Sequence, residues 1–206
     1  VYIYLQNYKR LLTLTKEIRT IVNSLKKDEI CLDFGANVGI YSQLFAKYKA
    51  AVYSFEPDPV PFKVLKEKAK ISKNIYPIMK AVGTRNYNGK LYLDKKYLED
   101  ELFYSEHNSL VKEKDNVGEK YIEVEVVDIA EWLNDFEKIK FARIDVEGFE
   151  VELISHLIDT SAINKIDYIF VETHEKIIKN LNKQIMELKL KITNLGIDNK
   201  FFWNWP

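Results

Sequence analysis

The fold is decided by residues 30–39, which read Ile-Cys-Leu-Asp-Phe-Gly-Ala-Asn-Val-Gly. A short apolar run ends at Phe34 and leads through two glycines into a helical pattern over residues 38–48. Such a turn exposes backbone N–H groups and a helix N-terminus at the carboxyl edge of a sheet, where glycine lets a ligand approach closely. The stretch therefore predicts a cofactor loop with five contact residues: Asp33, Gly35, Ala36, Asn37 and Gly39.

The nature of the cofactor follows from two acidic residues. Dinucleotide folds place G-x-G-x-x-G around a pyrophosphate, whereas the acidic Asp33 suits a cation better. Glu56 ends the next apolar run, and a carboxylate there can accept both hydroxyls of an adenosine ribose. S-adenosylmethionine satisfies both features better than NAD does. Pro57, Asp58 and Ala81 complete the predicted cofactor contacts.

Apolar runs alternate with helical patterns on both sides of this stretch. The spacing predicts strands at residues 30–34, 51–55, 75–82, 141–146 and 166–172, and helices at 38–48, 60–71, 149–158 and 175–195. This alternation is typical of βαβ units and predicts an α/β fold with a doubly wound, mostly parallel sheet. We expect residues 1–28 to form an N-terminal helical appendage and residues 29–206 to form the main domain.

A polar insertion separates the two halves of this pattern. In residues 90–93 and 121–127, apolar and polar side chains alternate, as in an antiparallel β insertion with one solvent-exposed face. Between them, residues 94–120 form a long polar connection, which we name the lid segment because such connections are usually functional or mobile. We interpret it as a cover over the active-site edge, with an exposed passive insertion as the alternative.

Polar residues also lie at the ends of the predicted strands in the second half of the chain. Arg143 and Asp145 lie two apart and therefore on one face of their strand, as do Glu172 and His174 at the end of the next. We expect Asp145 to face the reaction centre and to contact the cofactor.

Four motifs in this order resemble those of the FkbM family of S-adenosylmethionine-dependent methyltransferases. They are Leu-Asp-Phe-Gly-Ala-Asn-Val-Gly-Ile-Tyr-Ser at 32–42, Phe-Glu-Pro-Asp-Pro at 55–59, Arg-Ile-Asp-Val-Glu-Gly-Phe-Glu at 143–150 and Val-Glu-Thr-His at 171–174. The resemblance spans about residues 30–196 and implies a class I methyltransferase (Rossmann-like) fold. It also implies O-methylation of a sugar, a polysaccharide precursor or a secondary metabolite, with S-adenosylhomocysteine as product. Arg143 departs from the family, which usually carries lysine there.

A hydroxyl acceptor would benefit from a general base. We predict His174 for this role, oriented by Glu172 or Asp145, and His107 on the lid segment as the second candidate. Asp145, Glu172, His174 and His107 are therefore the predicted catalytic residues.

Two alternatives stay open. The side chains of Asp145, Glu147, Glu172 and His174 could hold Mg²⁺ or Mn²⁺, but no spacing demands a metal, and the prediction is a site without one. A non-catalytic nucleotide-binding domain is the second alternative, because a fold and a cofactor site do not guarantee chemistry.

Composition narrows the expected partners. The 206 residues contain 31 Lys+Arg and 31 Asp+Glu, and this zero net charge, without an interleaved basic and aromatic run, argues against a nucleic-acid acceptor. We expect a small-molecule or carbohydrate acceptor. The single cysteine, Cys31, favours a cytoplasmic location, and no apolar run is long enough to predict a membrane span. Because the chain begins with Val1, a fragment of a longer protein is an open alternative.

Overall fold

The structure is a computed structural model that describes residues 15–175, 178 and 180–203. In chain order the described helices and strands are α1 (Lys16–Asn23), β1 (Ile30–Phe34), α2 (Ile40–Ala46), β2 (Ala51–Phe55), α3 (Pro59–Ile71), β3 (Ile75–Ile78), β4 (Ala81–Gly83), β5 (Tyr87–Asp94), α4 (Glu101–Tyr104), β6 (Val117–Asp128), α5 (Ile129–Trp132), β7 (Ile139–Ile144), α6 (Glu150–Asp159), β8 (Ile166–Val171), α7 (Leu181–Asn194) and β9 (Phe201–Phe202). Short 3-10 turns connect several of them. None of the described helices is long and apolar enough to cross a membrane.

The main sheet has six strands in the order β3-β2-β1-β7-β8-β9, and all of their pairings are parallel. Alternate residues of each strand point to opposite faces, so that Leu32 and Phe34 enter one core while Cys31 enters the other. The first core is covered by α5, α6 and α7, and the second by α1, α2 and α3. This arrangement confirms the predicted doubly wound, mostly parallel α/β fold.

Only part of the predicted N-terminal appendage lies within the described residues. There α1 begins after Thr15, whose hydroxyl accepts a hydrogen bond from the N–H of Ile18. Ile18 and Val22 are buried in the same core as Phe45 of α2. This helix therefore packs on the main domain. The rest of the appendage, residues 1–14, lies outside the described residues.

The predicted strand at 75–82 is wrong as a single strand. It is divided into β3, which pairs with β2 in the main sheet, and β4, which pairs with β6 in a separate three-stranded sheet of order β4-β6-β5. After Ile78 the chain turns, and the N–H of Lys80 donates to the carbonyl of Ile78. The apolar pattern continues across this turn, and periodicity alone does not reveal a change of sheet. The predicted antiparallel insertion is confirmed, because β5 pairs antiparallel with β6.

Two predicted helices start later than their patterns indicated. The first starts at Ile40 because Gly39 has a φ of +77°, and the last starts at Leu181 because Asn180 has a φ of +67°. A residue in the left-handed region cannot belong to a right-handed helix.

A crevice is positioned by the order of the strands. From β1 the chain proceeds outward through β2 to β3, whereas β7 begins the opposite half of the sheet. Neighbouring connections diverge at such a switch point and leave a crevice at the carboxyl ends of the strands. Just after β1, Gly35 has a φ of +77°, and an added Cβ there would lie 1.8 Å from the carbonyl oxygen of Asp145, the residue that follows β7.

We predict that Gly35→Ala destabilises the domain far more than Gly196→Ala. Both glycines have a positive φ, but Gly196 has no heavy atom within 4 Å of an added Cβ. Its substitution should cost only the left-handed strain of about 1–2 kcal/mol, whereas Gly35→Ala adds a clash with backbone that has little room to shift. Urea unfolding of the two variants measures the difference, and equal losses would contradict the prediction.

Candidate active site

A cavity opens at the switch point, on the carboxyl edge of the main sheet. Its wall is formed by residues 35–38, 40 and 41 after β1, residues 55–57 after β2, residues 80–82 at β4, residue 91 of β5, residues 105–108 and 110 of the lid segment, and residues 143, 145–147 and 172 at β7 and β8. The cavity therefore brings together the glycine loop, the predicted ribose carboxylate, the lid segment and the acidic cluster of the second half.

Glu56 is oriented by the backbone around it. Its Oε2 accepts the N–H of Asn37 at 2.8 Å, and its Oε1 accepts the N–H of Asp58 at 2.8 Å. Burial raises the pKa of Glu56 to about 8, although these hydrogen bonds oppose the shift. Each carboxylate oxygen can accept a further hydrogen bond. The carboxyl group of Glu56 is thus held in one orientation at the cavity wall.

Asp33 supports the glycine loop from behind. The side chain is fully buried, and it accepts hydrogen bonds from the hydroxyl of Ser42 at 2.5 Å and from Nη1 of Arg143 at 3.1 Å. The same Nη1 lies 3.1 Å from the carbonyl oxygen of Gly35. Asp33 therefore does not line the cavity itself, and acts on its shape through the end of β1.

Arg143 joins the ends of three neighbouring strands. Its guanidinium hydrogen-bonds Asp33 and Asp145, lies 3.8 Å from Oε2 of Glu172, and covers the ring of Tyr41 with 4.4 Å to the centroid. Burial lowers the pKa of Arg143, but the carboxylates of Asp145 and Asp33 outweigh that effect and hold it above its usual range. A planar fork of donors can serve several carboxylates at once, which a lysine ammonium does less well. This geometry explains how arginine fits where the family usually has lysine.

The lid segment is joined to the glycine-loop side of the cavity by polar contacts. The amide of Asn37 donates to the hydroxyl of Ser105 at 3.1 Å. Asp58 accepts from the amide of Asn108 at 2.8 Å and from the hydroxyl of Tyr97 at 3.1 Å. Asp58 also caps α3 through the N–H of Val60 at 2.8 Å and is fully buried, so it links this helix to the lid segment without lining the cavity.

A buried lysine joins the lid segment to the other half of the cavity. Nζ of Lys114 donates to the carbonyl of His107 at 2.8 Å and pairs with the carboxylate of Glu147. The hydroxyl of Ser109 donates to the carbonyl of Glu147 at 2.6 Å. Burial alone would raise the pKa of Glu147, but His174 and Lys114 lower it to about 2. Glu147 is therefore ionised and fixed in place.

His174 lies among three carboxylates. Its Nδ1 is 3.0 Å from Oε1 of Glu150, and its Nε2 is 3.3 Å from Oε2 of Glu147 and 3.7 Å from Oδ1 of Asp145. Burial alone would lower the pKa of His174, but the hydrogen bonds to Glu147 and Glu150 raise it to about 11. At neutral pH the ring is an imidazolium without a free lone pair, and it does not line the cavity. These features favour a positioning role, and catalysis by His174 stays a prediction.

A set of possible metal ligands lies in the same cluster. Asp145, Glu150 and His174 offer ligand atoms within 4.8 Å of one another, so the set differs from the one predicted by including Glu150. Two buried cations are already close to it, since Arg143 pairs with Asp145 and Lys114 pairs with Glu147. Two of the three acidic residues next to His174 thus have a further cationic partner from the chain itself, and Glu150 pairs with His174.

The predicted site residues divide into two groups. Those that line the cavity are Gly35, Ala36, Asn37, Glu56, Pro57, Ala81, His107, Asp145 and Glu172. Those that lie behind its wall are Asp33, Gly39, Asp58 and His174. Sequence reasoning missed Lys114, for which no local pattern gives a signal. It also did not assign Glu150 to the site, although Glu150 is 1% exposed and accepts hydrogen bonds from the N–H groups of Val146 and Gly148.

The doubly wound sheet, with a glycine loop after β1, a buried carboxylate after β2 and an acidic cluster after β7, has the class I methyltransferase fold. The model of the Methyltransferase FkbM domain matches residues 33–196, and the chain belongs to this family. The resemblance expected from the four motifs is confirmed. No curated protein matches the chain in sequence.

Solved structures of methyltransferases are similar to this chain at low identity. Methyltransferase FkbM from Methylobacillus flagellatus KT is 15% identical, with a TM-score of 0.48 over 85% of this chain and 39% of that protein. Trm5b from Pyrococcus abyssi is 19% identical, with a TM-score of 0.41 over 89% of this chain and 41% of that protein. Precorrin-6y C5,15-methyltransferase from Geobacter metallireducens GS-15 is 13% identical, with a TM-score of 0.45 over 87% of this chain and 73% of that protein. The chain thus spans less than half the length of the first two proteins.

We predict that His174→Gln lowers the free energy of unfolding by about 3–5 kcal/mol at pH 7, because it leaves buried carboxylates without their cation. His156→Gln is the matched control, since His156 pairs with Asp128 at 2.8 Å in a more exposed place and should cost less than about 1 kcal/mol. The unfolding free energies of both variants can be measured by urea denaturation.

The difference in unfolding free energy between the parent protein and His174→Gln should also depend on pH. The pKa of His174 is raised to about 11 in the folded state, above the value of about 6.5 for an unperturbed histidine. Its stabilising contribution is therefore complete below about pH 6.5 and is lost as the pH rises towards 11. The difference between the parent and His174→Gln should shrink between pH 7 and pH 10, and a constant difference would contradict an imidazolium at this position.

Proposed function

We propose that this chain transfers a methyl group from S-adenosylmethionine to a hydroxyl of a sugar, a polysaccharide precursor or a secondary metabolite. The observation that carries the proposal is one continuous cavity with the glycine loop and Glu56 in one part and Asp145 and Glu172 in another. Family membership supports methyl transfer as the reaction. The part of the proposal that goes beyond family membership is that the acceptor group is a hydroxyl.

The cofactor would occupy the part of the cavity nearest β1 and β2. There the carboxylate of Glu56 would accept the two ribose hydroxyls, and Pro57 and Ala81 would provide apolar contacts for the adenine ring. The loop after Gly35 would approach the methionine part of the cofactor with backbone alone, because glycine has no side chain. Asp33 would contribute by holding that loop rather than by touching the ligand.

Positioning is the main catalytic task of such a site. When bound, the cofactor supplies a methyl group on a sulfonium, which is already an excellent leaving group. The chain must therefore align the acceptor oxygen and exclude water from it. Asp145 and Glu172 line the cavity at the ends of β7 and β8 and would accept hydrogen bonds from the ligands there.

We further propose that the lid segment closes over the acceptor and determines which acceptor binds. Residues 105–108 and 110 line the cavity, and the attachments to Asn37, Asp58 and Glu147 are polar. When the segment opens, water can hydrate both polar partners of each attachment. The segment is therefore suited to opening when the site is empty.

A metal-dependent methyltransferase is the second candidate. The three ligand atoms of Asp145, Glu150 and His174 favour it, and a divalent cation there would acidify the acceptor hydroxyl. The cationic partners Arg143 and Lys114 support the metal-free alternative, because they already compensate the charge of this cluster.

We predict that at pH 9, above the Glu56 pKa of about 8, Glu56→Gln weakens the binding of S-adenosylhomocysteine by tenfold or more, because a charged hydrogen-bond acceptor contributes about 1.5–3 kcal/mol. Glu67→Gln is the control, since Glu67 lies on α3 with an exposed side chain. Titration calorimetry measures both affinities. An unchanged affinity in a folded Glu56→Gln protein would remove this residue from the site.

We predict that dialysis against EDTA leaves both the S-adenosylhomocysteine affinity and the unfolding midpoint of the protein unchanged. The reason is that buried cations of the chain pair with the acidic cluster. Calorimetry and thermal unfolding before and after dialysis test this expectation. A lower midpoint that Mg²⁺ or Mn²⁺ restores would instead assign a metal to Asp145, Glu150 and His174.

A further inference from the structure

We infer that His107, held by Asp94, is the general base that removes the proton from the acceptor hydroxyl. The inference rests on the proposed function and assigns a group within the same cavity. It replaces His174 in this role and adds Asp94 as a positioning residue.

The first support is the position of the imidazole. All three histidines lie within the described residues, and of these only His107 lines the cavity. About a third of its side chain is exposed, compared with a tenth for His174. Lys114 bonds both the carbonyl of His107 and the carboxylate of Glu147. This bridge connects the backbone of His107 to Glu147, which lines the β7 part of the cavity.

The second support is the orientation of the ring. Nδ1 of His107 lies 3.1 Å from Oδ2 of Asp94, and this carboxylate is 8% exposed. Because a carboxylate only accepts hydrogen bonds, Nδ1 carries the hydrogen and the lone pair of the neutral ring is on Nε2. Asp94 is itself fixed, since its Oδ1 accepts the N–H of Lys96 at 2.8 Å and its own N–H donates to Oδ1 of Asn108 at 2.9 Å.

The charged surroundings of His107 are consistent with proton transfer. On its own turn, Oε1 of Glu106 lies 3.6 Å from Nε2, and from β5 Asp94 faces Nδ1. The part of His107 to which Lys114 donates a hydrogen bond is its backbone carbonyl and not the ring. The ring centroid of Tyr104 lies 6.3 Å from that of His107. Two nearby carboxylates stabilise the imidazolium that forms during the reaction.

The proposed step couples a proton transfer to the methyl transfer, and both atoms and charge balance. The O–H bond of the acceptor breaks, and its proton moves to Nε2 of His107. The acceptor oxygen forms a bond to the methyl carbon, the bond from that carbon to sulfur breaks, and its electron pair stays on sulfur as a neutral thioether. The positive charge of the sulfonium is thereby replaced by that of the imidazolium, which Asp94 stabilises through Nδ1.

The test compares His107→Gln and Asp94→Asn with His156→Gln. The control has the same His–Asp pairing, at 2.8 Å, but does not line the cavity. The probes are radiolabelled S-adenosylmethionine and a panel of monosaccharides and nucleotide-activated sugars. We expect His107→Gln to lower kcat by about 10²–10⁴-fold while the S-adenosylhomocysteine affinity stays within threefold. Asp94→Asn should lower kcat less and shift the acidic limb of the pH profile, and His156→Gln should change neither.

A measurement without an acceptor accompanies this assay. Side-chain ¹⁵N NMR of His107 should show the Nδ1–H tautomer in the parent and a changed tautomer population in Asp94→Asn. The Nε2–H tautomer in the parent, or an unchanged kcat in His107→Gln, would overturn the inference. If no sugar of the panel is methylated, the tautomer decides alone. Failure of the parent to bind S-adenosylhomocysteine would instead refute the proposed function, so the two failures are distinguishable.

Discussion

The interaction on which the rest of the site depends is the buried guanidinium of Arg143 among its carboxylates. It hydrogen-bonds Asp33 of β1 and Asp145 after β7, and lies close to Glu172 after β8. A parallel sheet by itself only brings strand ends to one edge, and like charges there would repel each other. One delocalised cation lies between three acidic residues at neighbouring strand ends and attracts each of them. The crevice of the switch point is thereby held in a single shape.

A second set of buried ion pairs lies next to the lid segment. Lys114 and His174 are the cations there, and Glu147 lies between them. This pairing extends from the cavity floor into the lid segment, and the buried polar residues of the cavity therefore form one connected network. Burying an ionic network adds little net stability compared with apolar packing. The network instead fixes the orientation of its side chains, including the lone pairs that face the cavity.

Much of this molecule could be predicted from its sequence, because the strongest signals are local. The runs that became β1 and β2 match their predicted bounds, and the glycine loop with Glu56 lies where a switch point requires it. The division between Ile78 and Ala81 was not predictable, since an apolar pattern carries no information on which sheet a strand joins. Nor could periodicity show that His174 points behind the cavity wall. Lys114 reaches Glu147 only through tertiary packing, which no spacing in the chain encodes.

The three-stranded sheet that carries the lid segment has a further consequence. Its small core of Ala81, Leu91, Val124 and Val126 is separate from both cores of the main sheet. A substitution in this small core therefore changes packing that neither main core shares. The apolar side chains of the small sheet can therefore change in size without a compensating change in either core of the main sheet.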